Sequence, residues 1–164
     1  MPFPSFRSRL RAFSQMRGNP PDPGFIADLE YLENRDLDLS VRLGAMLAFN
    51  ALLITIGTHP VSASPGAPLS LDAAGQPVLT LASLAGLLPI VVSCLFVLRA
   101  LLLGEEFESE GLDEDAALRQ RLFAAFIRSI DAQARCLDLA IRATLLGGGL
   151  TMLVWTAILW TKMV

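Results

Sequence analysis

The sequence predicts an all-α integral membrane protein with three transmembrane helices, the first and third extended into the cytoplasm, and expected to oligomerise. Three observations predict it. Of 164 residues only 18% are charged and 53% are apolar, whereas soluble domains carry about 25% charged residues. The apolar excess is gathered into three blocks, at about 39–58, 78–103 and 139–161. Each is long enough, at ~1.5 Å per residue, to cross a hydrocarbon core of ~30 Å. The competing arrangement, a soluble bundle with three buried helices, fails because the chain has too little other material to cover three such runs.

The third observation is the distribution of the 13 basic residues. Arg7, Arg9, Arg11, Arg17, Arg35 and Arg42 precede or open the first block, and none lies between His59 and Pro77. Arg99, Arg119, Arg121, Arg128, Arg135 and Arg142 bracket the connection between the second and third blocks, and Lys162 stands alone near the end. The positive-inside rule then predicts a cytoplasmic N-terminus and second connection, with the first connection and the C-terminus outside. Cys94 and Cys136 fall near or on the reducing side and have no metal-ligand spacing, so neither a disulfide nor a metal is expected. A net charge of −3 gives no reason to expect nucleic acid as a partner.

Residues 1–24 read as a basic, Pro-containing tail and 25–164 as the three-span module. Within the tail, Phe3, Phe6, Leu10, Phe13 and Met16 recur at helical spacing beside arginines. That pattern fits a segment lying on an anionic leaflet, or an unstructured tail whose arginines only fix orientation. No apolar run and cleavage site follow the charges, so a signal peptide is not expected. The breaker cluster Asn19-Pro20-Pro21-Asp22-Pro23-Gly24 ends the tail.

From Phe25 helical spacing continues into the first block without interruption, predicting one helix to Thr58 that Pro60 closes. The connection from His59 to Pro77 carries further prolines, serines and glycines and a single acid, Asp72. The second block contains Pro89, which removes a hydrogen bond to the Ala85 carbonyl and predicts a kink. After Arg99 comes Gly104 to Asp115, with seven acids and no base. It lacks the ordered ligand pattern of a calcium loop and reads as a solvated acidic turn. A further helix from Asp115 runs into the third block, where Gly147-Gly148-Gly149 permits close backbone contact or bending.

Two of the spans share an entrance. Arg35-Asp36-Leu37-Asp38-Leu39-Ser40-Val41-Arg42 matches Arg135-Cys136-Leu137-Asp138-Leu139-Ala140-Ile141-Arg142 at five of eight positions. Asp38 with Arg42, and Asp138 with Arg142, stand four apart in the acid-before-base order that favours pairing on one helix face. Two readings follow: interfacial anchors, or a charged collar at one depth with Arg99 beside it. Small residues also repeat along the spans. Gly44, Ala48 and Ala51 on the first, Gly86 on the second and Gly148 on the third form a candidate packing seam, because helices in lipid gain by close backbone approach. Asn50 is the strongly polar side chain near the middle of the first span and should face protein or water, as a structural hydrogen-bonding group or lining a path.

The stretch Asp36 to Ile54, with Leu47-Ala48-Phe49-Asn50-Ala51-Leu52-Leu53 at its centre, resembles the membrane module of Pycsar-type anti-phage effectors. The later hairpin, an arginine-bearing cytoplasmic helix feeding a glycine-containing last span, extends the similarity from about Phe25 to the end. The resemblance implies antiviral defence through disruption of the inner membrane, in systems that signal by cyclic pyrimidine nucleotides. No cyclic-nucleotide-binding domain is recognisable, so a separate nucleotide cyclase or sensor protein would be the partner, together with the lipid bilayer and further copies of the chain. The alternative is a structural or adaptor subunit of a membrane complex. No nucleophile–base pair or ligand cluster suggests an enzyme or a cofactor.

Overall fold

The computed structural model describes residues 23–64, 66–102 and 115–163. The basic segment at 3–16, the breaker residues 19–22 and the acidic stretch from Gly104 to Glu114 lie outside the described residues. Four helices follow in order: α1 (Pro23–Gly57), α2 (His59–Ser62), α3 (Pro77–Leu102) and α4 (Asp115–Met163). No strand occurs among the described residues, and three helices are long and apolar enough to cross a membrane.

Length alone separates the spans from their extensions. α1 has 35 residues, α3 has 26 and α4 has 49, which at ~1.5 Å per residue makes α4 more than twice as long as a ~30 Å hydrocarbon core. The surplus of α1 and α4 lies at their N-terminal ends, where Asp28, Glu30, Arg128 and Asp131 are exposed. Proline occupies the first position of α1, where its missing N–H costs no helical bond. α1 stops at Gly57, one residue before the expected end, and Pro60 stands in the short α2 that follows. The Pro60 carbonyl accepts the Leu71 N–H at 2.8 Å, folding the connection back on itself. α3 passes through Pro89 as one helix, and α4 passes through its three glycines unbroken.

The packing register can be read from two crossings. Asn50 meets Thr144, 94 positions later, and a Cβ on Gly57 would lie 3.7 Å from Thr151 Cγ2, at the same separation. α1 and α4 are therefore parallel. α3 runs against both, since Ser93 meets Thr144 while Gly86 lies against Thr151. At the end rich in arginine the three helices enclose Leu39, Leu43, Val97, Ala100 and Ala140, with Met46, Phe96 and Leu137 packed around them. Leu52, Leu81, Leu95, Leu145 and Leu153 point outward. Large exposed side chains on every span suit a lipid surround, and packing inside it comes from close contact and hydrogen bonding more than from the hydrophobic effect.

Candidate functional site

At mid-span each long helix contributes one polar side chain to a common point. Asn50 of α1 and Ser93 of α3 are fully buried, and Thr144 of α4 is 5% exposed. Asn50 Nδ2 donates to Ser93 Oγ at 2.8 Å, Ser93 Oγ donates to the Ala140 carbonyl at 2.8 Å, and Thr144 Oγ1 donates to Asn50 Oδ1 at 2.7 Å. Thr144 Oγ1 also lies 2.8 Å from Ser93 Oγ. A hydroxyl has one proton, so donation to Asn50 leaves this last contact as the alternative for the same proton. The cluster satisfies both ends of the Asn50 amide without water. It closes the centre of the bundle and fixes the height of α1 against the α3–α4 pair.

Helix faces bring the three together for local reasons. On α1 the inward face is Leu39, Leu43, Met46 and Asn50, at helical spacing; on α4 it is Ala140, Thr144, Gly147 and Thr151. Gly147 is the tightest place on that face. A Cβ there would sit 2.5 Å from Ile90 Cγ1, 3.1 Å from the Ile90 nitrogen and 3.2 Å from the Gly86 carbonyl oxygen. Only glycine lets the α3 and α4 backbones approach so closely at this point.

The other residues singled out from sequence are placed as follows. Asp38 and Arg42 form an ion pair at 3.0 Å, and Asp138 and Arg142 one at 2.8 Å, each within its own helix and exposed. The doorway copies are 100 positions apart, but the packing register is 94. The entrances are thus staggered by about six residues, roughly 9 Å. They do not meet at one depth, and these pairs do not bridge helices as a collar would. Arg99 is exposed and makes no hydrogen bond or ion pair among the described residues. Of the small-residue positions, Gly86 is buried in the α3–α4 contact, where a Cβ would lie 3.5 Å from the Thr151 nitrogen. Gly44, Ala48 and Ala51 are exposed on the outer side of α1, and a Cβ on Gly44 or Gly148 would meet nothing within 4 Å. They take no part in the close contact within one chain.

Ser93 and Thr144 were not among the residues that the sequence singled out, and nothing in it paired them with Asn50. The signal was a hydroxyl in the half of each remaining span nearer its arginines, a donor and acceptor for the amide. Gly147 was hidden in a run of three glycines. Lys162, read only as a terminal charge, donates to the Ala67 carbonyl at 2.7 Å and lies 3.1 Å from Ser70 Oγ. It fastens the end of α4 to the α2–α3 connection. Among the described residues no group of three or more His, Cys, Asp or Glu side chains could hold a metal ion. In comparison with known proteins, the chain matches no family model, no curated protein and no solved structure.

Proposed function

We propose that the chain is a small inner-membrane protein of effector type, whose spans alter membrane integrity when a signal reaches its cytoplasmic helix extensions. The observation that supports this reading is the way α1 is attached. α3 and α4 share a long contact with direct backbone approach at Gly147, whereas α1 joins them through the apolar cluster around Leu39 and Leu43, the crossing at Gly57 and, between these, the buried hydrogen bonds of Asn50. An unbroken α4 from Asp115 to Met163 gives a displacement at the extension a rigid path to Thr144. A hydrogen-bonded clasp that can be made or released is a two-state element of the kind a signal can bias.

The resemblance to Pycsar-type effectors supplies the class of signal, a cyclic nucleotide made and sensed by separate proteins in an antiviral response. In this proposal the N-terminus is cytoplasmic, the C-terminus is outside, and the outward small residues Gly44, Ala48 and Ala51 serve contact between copies. One observation favours the second reading, an adaptor subunit that conducts nothing: the Asn50 amide is fully buried and hydrogen-bonded to Ser93 and Thr144, so it is turned to protein and not to an open path.

Membrane potential in expressing cells separates the two. Under the effector reading, Asn50→Leu releases the clasp and depolarises cells carrying the protein alone, while the wild-type chain does so only with a nucleotide cyclase present. Unchanged potential for both proteins under both conditions would leave the adaptor.

A further inference from the structure

A second constellation lies near the arginine-rich ends of the spans and plays no part in the clasp. Arg99 from the end of α3 and Arg128 and Arg135 from α4 line an open groove of about 460 Å³ whose apolar side includes Phe96 and Leu139. Among the described residues Asp131 is the one acid on its wall, and it is already paired with Arg135. Arg128 uses its Nε to reach the Ala124 carbonyl at 3.0 Å, which leaves its terminal nitrogens free of that bond. Arg99 has no partner among the described residues. Among the described residues that line the groove, three guanidinium groups against one carboxylate leave an excess of two positive charges.

We propose that this groove binds the phosphate of an anionic phospholipid. Position selects a lipid over other anions. Arg99 is the last charged residue of a span whose outer face, Leu95 and Leu98, is apolar and exposed. A phosphodiester held at Arg99 would therefore have its acyl chains running down beside Phe96 and Leu139, along the apolar continuation of the same surface. Guanidinium groups match phosphate oxygens with paired, parallel hydrogen bonds, and basic pockets between membrane helices at the cytoplasmic side are suited to anionic headgroups. The site requires a membrane-embedded chain and is independent of whether that chain is an effector or an adaptor.

The test uses the full chain in neutral detergent, with native mass spectrometry reading bound lipid and dioleoyl phosphatidylglycerol as the probe. Dioleoyl phosphatidylcholine and inorganic phosphate are the comparison ligands. The expected result is phosphatidylglycerol binding at least about tenfold tighter than phosphatidylcholine and not displaced by millimolar phosphate. Arg99→Gln and Arg128→Gln should each weaken it about fivefold, the worth of one arginine near a charged surface. Asp131→Asn should tighten it, and Arg35→Gln, which removes a charge outside the groove, should leave it unchanged. Circular dichroism confirms that the variants keep their helices.

Equal affinity for the two lipids, or an Arg35→Gln loss as large as that of Arg99→Gln, would overturn the proposal. Displacement by inorganic phosphate would make this a free-anion site. Binding that appears only when Glu105, Glu106, Glu108 and Glu110 are changed to glutamine would show the groove to be filled by the chain's own acids. Either of these also overturns the lipid assignment.

Discussion

Thr144 donates its hydroxyl to Asn50 Oδ1 across 2.7 Å, although neither residue has a polar counterpart in the other copy of the repeated entrance. The position matching Asn50 is Leu150, and the one matching Thr144 is Gly44. The two spans thus begin with similar sequence and use it differently. Leu39 is buried, whereas its equivalent Leu139 is 45% exposed. Each span is turned to the bundle by what lies deeper in it.

Removing the Thr144 donor tests the clasp directly. Thr144→Val keeps the shape and leaves Asn50 Oδ1 unpaired in a dry site, which should cost ~1–2 kcal/mol, while Thr144→Ser should stay close to wild type. Reversible unfolding of the purified chain in mixed micelles reads the difference. Equal stability of the valine and serine variants would mean that the hydrogen bond contributes nothing.

Neighbouring glycines should respond oppositely to the same change. Gly147→Ala forces a methyl group against Ile90 and the α3 backbone, for an expected loss of ~1–3 kcal/mol. Gly148→Ala enters open space and can gain up to ~1 kcal/mol of helix propensity. The same unfolding assay would contradict the seam at Gly147 if it ranked the two variants the other way.

Outside the bundle, bulk on α1 should affect association and spare the fold. Gly44→Leu and Ala48→Leu are placed on the exposed side of α1 and should leave unfolding unchanged. If copies meet along this stripe, as proposed, both variants shift the particle toward the monomer in sedimentation measured in detergent. A wild-type chain that is already monomeric in native-like nanodiscs would remove the stripe from any assembly role.

Orientation is open to labelling in whole cells. With Cys94 and Cys136 replaced by alanine, a cysteine at Ser64 should react with an impermeant thiol reagent, and one at Ser109 should react only after the cells are broken. The reverse pattern would invert the topology and place the arginine-lined groove outside.

The sequence by itself determined the three spans, the breaks between them, the uninterrupted entry of α1 and α4 and the need for Asn50 to turn away from lipid. Each follows from a local property: a long apolar run, a proline, or the cost of one unpaired amide. The tertiary structure alone decided the register of the spans, the partners of Asn50, the choice of Gly147 over Gly148 and the outward turn of Gly44, Ala48 and Ala51. The physical reason is that a membrane helix is apolar on all sides, so periodicity does not mark its inward face as it does in water. That face is set by where a hydroxyl meets an amide and where two backbones can touch, and both depend on pairs of residues brought together from different helices.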